Sequence, residues 1–194
     1  MKKYILIVLL SFALYSAKAQ SYTEVYVNYL PSIPFGKTAD FTSGISPRGV
    51  DFEANRFIGD DLSVGINVAW LIFREKVGPE LFELNDLDIY GTQFHYQNMV
   101  PIDVVFKKYF ITGTYTPYLG IGAGIQYVQQ RNDIGVFSLT DDKWLFHTAP
   151  ELGVLLDLNP SATLSLKAKY NYSPKGGDFP STSYLSFGVG LGLN

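Results

Sequence analysis

The sequence of 194 residues predicts an all-β fold: an eight-stranded antiparallel transmembrane β-barrel with short periplasmic turns and long extracellular loops. Three observations carry the prediction. Eight segments of about ten residues alternate large apolar residues with small, polar or charged ones, the period of a strand whose two faces meet different surroundings. Glycines stack on one face of two of these segments. The connections alternate short and long, as in barrels that turn tightly on one side of a membrane and loop out on the other.

Composition narrows the alternatives. With 47% hydrophobic and 17% charged residues the chain is the reverse of a disordered one. The absence of cysteine excludes disulfide staples, thiolate zinc sites and cysteine catalysis, and two histidines are too few for a histidine-rich metal cluster. Residues 1–19 read as a secretory signal peptide: Lys2 and Lys3, an apolar centre over 5–14, then Ala17-Lys18-Ala19, with cleavage expected after Ala19. That apolar centre is too short for the roughly 20 residues of a spanning helix. Residues 20–194 form the expected outer-membrane β-barrel domain. Loss of Lys2, Lys3 and Lys18 with the leader takes the formal net charge from −3 to −6, so no nucleic-acid partner is expected.

The elements follow in order. In 22–30, Thr23, Val25, Val27 and Tyr29 oppose Glu24, Tyr26 and Asn28. In 49–58, Val50, Phe52 and Ala54 alternate with Asp51, Glu53 and Asn55. Segment 62–73 sets Val64, Ile66, Val68, Trp70 and Ile72 against Ser63, Gly65, Asn67 and Ala69, and 99–110 sets Val100, Ile102, Val104 and Phe106 against Pro101, Asp103, Val105 and Lys107. In 117–129, Leu119, Ile121, Ala123 and Ile125 oppose Gly120, Gly122, Gly124 and Gln126. Segment 144–157 places Phe146, Leu152 and Val154 opposite His147, Ala149 and Glu151. In 163–172 the pattern is Leu164, Leu166 and Ala168 against Ser165, Lys167 and Lys169, and in 183–193 it is Leu185, Phe187, Val189 and Leu191 against Ser186, Gly188, Gly190 and Gly192.

A row of glycines would leave a soluble surface bare, whereas a narrow barrel interior needs small residues beside long ones. The apolar face is therefore assigned to lipid and the polar face to the lumen. The connections 59–61, 111–116 and 158–162 are short; 31–48, 74–98, 130–143 and 173–182 are long. Aromatics near segment ends, among them Tyr22, Trp70, Phe73, Tyr96, Phe110, Tyr115, Tyr127, Trp144, Tyr172 and Tyr184, suit membrane-interface anchors, although aromatics favour strands in any case. Pro101 and Pro150 cannot donate to a ladder, which predicts bulges or strand starts there.

With these segments in view, the chain resembles the outer-membrane β-barrel domain family of two-membrane bacteria, similar to the eight-stranded OmpA- and OmpW-type barrels. The stretches 117–125 (PYLGIGAGI) and 184–193 (YLSFGVGLGL) carry the resemblance, which extends over 20–194. It departs at the end, Leu193-Asn194, where members of the family usually carry an aromatic residue. The resemblance implies a bacterial outer-membrane location and membrane lipid as the surrounding partner.

Eight strands enclose an interior just wide enough for side chains to fill it. The expected lumen network is Glu24, Asp51, Glu53, Asp103 and Glu151 against Lys107, Lys167 and Lys169, with Asn28, Asn55, Asn67, Gln126 and His147 between. Mixed signs neutralise one another without any transport role, which favours a plugged lumen over a narrow pore for small solutes. No catalytic, cofactor-binding or metal-ligating set is assigned. His147 and Glu151 lie four residues apart on a strand, roughly 13 Å, too far for a hydrogen bond. The stretch 171–176 (NYSPKG) looks somewhat like the His-x-Ser-Asn-x-Gly motif of lipid A deacylase barrels; Ser173 matches the nucleophile, but Asn171 replaces the base and Pro174 the following Asn. Without a base the serine is not activated. The acidic segment 74–98 matches no calcium-loop spacing and reads as a solvated loop. The expected function is structural or loop-mediated binding, without enzymatic activity, with a small apolar ligand or another envelope protein as partner at the loops. The alternatives are a lipid A deacylase-like enzyme and a narrow pore.

Overall fold

The two-residue alternation closes into a ring. The computed structural model describes residues 23–84, 87–111, 113–135, 137–159 and 161–193; the signal peptide expected over 1–19, the aromatic Tyr22, and Asp86 of the acidic segment 74–98 lie outside them. Nine strands form one antiparallel sheet: β1 (Thr23–Tyr29), β2 (Ser32–Phe35), β3 (Gly49–Phe57), β4 (Leu62–Leu84), β5 (Leu87–Tyr109), β6 (Tyr115–Ile134), β7 (Phe137–Asn159), β8 (Ala162–Ser173) and β9 (Thr182–Leu193). A short helix, α1 (Gly36–Phe41), follows β2. β1 pairs with both β3 and β9, which closes the barrel and leaves its wall without an edge. β1 and β2 pair with β9 in one continuous register, Tyr29 opposite Val189 and Ser32 opposite Ser186. They are one wall strand interrupted at Leu30-Pro31, so the ring counts eight.

The faces divide as the pattern predicts. Val25, Val27, Phe52, Ile66, Phe106, Ile121, Phe146, Leu152, Val189 and Leu191 are exposed on the outside, where a bilayer meets them. Inside, the stacked glycines make room for long neighbours. A side chain at Gly120 would meet Glu151 and Lys107, one at Gly188 would meet Lys167, and one at Gly192 would meet the ring of Tyr26.

Several expectations are corrected. Segments 74–98 and 130–143 are not loops: β4 and β5 run 23 residues each, β6 runs 20 and β7 runs 23, so both connections are tall hairpins. A spanning strand needs only about 9–11 residues, so about half of each strand stands beyond the bilayer. The segment 31–48 holds β2 and α1, with Gly36 at φ 51° where the chain turns from one into the other. Pro101 and Pro150 cause neither bulges nor strand starts. Each lies within a strand, and the register is the same on both sides of it: Val68 opposite Ile102 and Leu71 opposite Met99; Thr148 opposite Tyr172 and Glu151 opposite Lys169. Only the ladder toward one neighbour is interrupted, which is what a missing N–H donor requires. The register shifts lie instead at Val77/Pro79 and at Asp157/Asn159.

Phe73 and Tyr184 are not interface anchors. Both point inward, fully buried, and meet edge to face at 5.8 Å. Trp70, Phe110, Tyr115, Trp144 and Tyr172 do lie exposed on the outside.

Candidate functional site

The lumen is the place where the fold gathers its chemistry, and it is filled in layers. Next to the short turns, Tyr26, Tyr109, Tyr118 and Leu155 form a buried cluster with Phe57 against it. Tyr109 contacts the rings of Phe57 at 5.1 Å and Tyr118 at 5.7 Å. Glu24 lies at this end and accepts a hydrogen bond from Tyr26 Oη at 2.6 Å.

The charged layer comes next. Lys107, on β5, pairs with Glu53 of β3 and with Glu151 of β7 at 3.1 Å. Lys167, on β8, reaches Asp51 at 2.7 Å and Glu53 at 2.9 Å. Lys169 lies 3.8 Å from Asp51 and donates to Asn67 Oδ1 at 2.7 Å. Asn28 donates to Asp51 at 2.6 Å, and Lys107 also sits 4.5 Å above the ring of Tyr118. The structure thus brings Asp51, Glu53, Lys107, Glu151, Lys167 and Lys169 into one cross-lumen network; all are buried. Each carboxylate in such a place needs its cation, because an unpaired charge away from water is costly.

Asp103 stands apart from that network. Asp103 of β5, Gly124 of β6 and His147 of β7 occupy one rung, and the bare Gly124 lets the outer two meet across it. His147 Nδ1 donates to the Asp103 carboxylate at 2.8 Å. A histidine held by an aspartate is two-thirds of a hydrolytic triad, but Ser173 does not complete it. Its hydroxyl donates to Gln126 Oε1 at 2.9 Å, and His147, Ser173 and Gln126 are wholly buried. Asn171, in the position of a base, donates to Ser186 Oγ at 3.0 Å.

Above the charges the lumen turns apolar. Leu30, Ala69, Leu71, Phe73, Met99, Val128, Leu145, Phe179 and Tyr184 form a buried cluster at the outer end. Sequence reasoning missed it, although one signal was present. The run 68–73 (VAWLIF) is apolar on both faces, so its inward members, Ala69, Leu71 and Phe73, required an apolar lumen at that height.

The segment 31–48 folds over this cluster. Thr38 Oγ1 accepts from the Ser183 N–H at 2.9 Å, and Thr42 Oγ1 donates to Gln97 Oε1 at 3.2 Å. His95 stacks on Phe41 at 4.6 Å and donates to its carbonyl at 2.8 Å. Glu75 accepts from the Ser43 hydroxyl at 2.6 Å.

No protein-family model matches the chain, and no curated protein sequence does. Solved structures share its fold. It is similar to Neisserial surface protein A, with 15% identity, a TM-score of 0.61, and 90% of this chain and 99% of that one covered. It is also similar to the outer membrane protein OprG from Pseudomonas aeruginosa (15%, 0.56, 88% and 94%) and to Ail, the attachment invasion locus protein of Yersinia pestis (13%, 0.55, 88% and 96%). The chain thus has the fold of the eight-stranded OmpA- and OmpW-like outer-membrane barrels.

Proposed function

We propose that the protein is a non-enzymatic barrel of the bacterial outer membrane, with a plugged lumen and a structural or binding role exercised through its hairpins and lipid-facing wall. The observation that carries this reading is the succession along the lumen of a tyrosine cluster, a paired-charge layer and an apolar cluster, with the 31–48 segment above them. A water path would have to break ion pairs and then cross hydrocarbon. The exposed apolar belt calls for lipid around the wall. The outer hairpins are where a small apolar ligand or another envelope protein would dock. The signal peptide, residues 1–19, is removed in this reading, so the mature chain begins at Gln20.

Two measurements test it. Fractionation is expected to recover the protein with the outer membrane, extractable only with detergent; recovery from the soluble periplasm would overturn the location. In planar bilayers the purified barrel is expected to add no current to that of bare lipid, and steady single-channel steps would overturn the plug. The enzymatic alternative requires an activated Ser173. The Ser173–Gln126 hydrogen bond weighs against it, and release of acyl chains from lipid A by the purified protein would restore it.

A further inference from the structure

The segment 31–48 meets the barrel through three successive residues, and the first of them is held by a histidine. Phe41, Thr42 and Ser43 contact His95, Gln97 and Glu75 in turn. His95 of β5 and Glu75 of β4 are direct cross-strand partners on the inward face, which sets their Cβ atoms about 5 Å apart. Both therefore act on the same short stretch of chain, at the outer mouth of the barrel.

The surroundings of the His95 ring favour its charged form. Nδ1 lies 2.8 Å from the Phe41 carbonyl oxygen, and Nε2 lies 3.4 Å from Gln93 Oε1. Asn132 Nδ2 donates to the same Gln93 oxygen at 3.0 Å, which turns that amide so that its oxygen faces the ring. A neutral imidazole has one N–H and serves only one of two acceptors, whereas an imidazolium serves both. The Phe41 ring lies within 5° of parallel to the imidazole at 4.6 Å, and an aromatic face attracts a cation. From β4 the group opposite is the Glu75 carboxylate, flanked by Arg74 and Lys76 on the outward face. From β6 it is the uncharged Asn132, flanked by Arg131 and Asp133 on the outward face. From α1, Lys37 and Asp40 pair with each other at 2.9 Å in solvent. Two of these partners, the carbonyl and the ring of Phe41, belong to the segment itself, so His95 keeps them only while the segment is seated.

We propose that His95 couples the seating of the 31–48 segment to pH: a protonated ring clamps Phe41 against the barrel, and a neutral ring loosens it. The sign follows from linkage. The seated segment favours the proton more than the lifted one does, so seating is firm where the ring is charged and weakens as pH rises through the range in which histidines discharge, about pH 5 to 8. Carboxylates ordinarily titrate below that range. The chain's other histidine, His147, is wholly buried in the lumen against Asp103.

The test follows protease cleavage within 31–48 of the full barrel in lipid nanodiscs, at about pH 5.5 and about pH 8. Each rate is divided by that of a free peptide of the same residues, so that the protease's own pH dependence cancels. Cleavage of a locally opening segment then reads the open population. The native chain is expected to be cut about fivefold faster at the higher pH, the size of one charge-assisted contact at a half-exposed site. His95→Gln, which keeps an amide donor but no titrating ring, is expected to give the same normalised rate at both. Gln93→Leu leaves the Phe41 bond and stack but removes the second acceptor, and the ratio is expected to fall to about twofold. A native ratio near one, an undiminished ratio in His95→Gln, or an undiminished ratio in Gln93→Leu would overturn the proposal. If His95→Gln fails to insert into nanodiscs, the native chain and Gln93→Leu decide by themselves. Loss of the pH response leaves the plugged lumen standing, because neither its charged layer nor its apolar cluster includes His95.

Discussion

Around Glu53 the lumen is packed with charge, whereas around Phe73, nearer the outer mouth, it is packed with hydrocarbon; both residues are almost completely shielded from water. The two regions solve one problem, filling a narrow cylinder, with opposite physics. Apolar packing gains free energy from every buried methylene. A buried ion network gains little over an apolar core of the same volume, because desolvation consumes most of the attraction. What the network adds is intolerance: each charge depends on its partners, so removal of one leaves another without its counter-charge.

The sharpest way to break this comparison is to remove one shared partner. Glu53 answers both Lys107 and Lys167, and Glu53→Gln leaves each lysine with a single remaining carboxylate, Glu151 and Asp51 respectively. The expected loss is about 3–5 kcal/mol, measured by urea unfolding of the barrel in lipid vesicles. A loss under about 1 kcal/mol would mean that water reaches the charged layer, and the contrast between the regions would collapse. Truncation in the apolar region costs about as much as a cavity does. Phe73→Ala is expected to lose about 3 kcal/mol in the same assay, and an unchanged midpoint would show that the outer cluster contributes no packing.

How much of this was legible in the sequence depended on whether a feature is local. The period of two at Val64 to Ile72 and at Leu164 to Ala168 needs no register, so strands, faces and the charged residues of the lumen could be read directly. The pairing of His147 with Asp103 could not be read, because it exists only once β5, β6 and β7 are aligned and Gly124 stands between the two. Height was misjudged for the same reason. Segments 74–98 and 130–143 carry polar residues on both faces, which looks like loop, yet a hairpin standing in water has two wet faces. Phe73 and Tyr184 resembled anchors because an aromatic near the end of a segment suits the interface and the plug equally.

The glycines give a smaller but cleaner test of how tightly the Asp103–His147 pair is held. A methyl group at Gly124 would come to 2.0 Å from the Ile102 carbonyl oxygen and 2.8 Å from Asp103 Cα, atoms that move only if β5 moves. Two residues away, a methyl at Gly122 finds nothing nearer than 3.4 Å. Gly124→Ala is expected to cost about 1–3 kcal/mol and Gly122→Ala less than about 1 kcal/mol. Equal costs would show that the glycine row serves the chain's flexibility and not the fit of Asp103 to His147.

The weakest effect belongs to the 31–48 segment, which is tied down by contacts at the water-facing end. Ser43 donates its hydroxyl and its backbone N–H to Glu75, and both residues lie partly in solvent. Ser43→Ala removes one of those bonds, and at an exposed site such a bond is worth less than about 1 kcal/mol. Global unfolding should therefore hardly change. Local opening should respond, because a segment held by a few exposed bonds opens independently of the barrel. Limited proteolysis is expected to cut within 31–48 a few times faster in the variant, while the barrel strands stay protected. Cleavage at the native rate would mean that the stack of His95 on Phe41 and the buried contacts of Thr38 and Thr42 hold the segment by themselves.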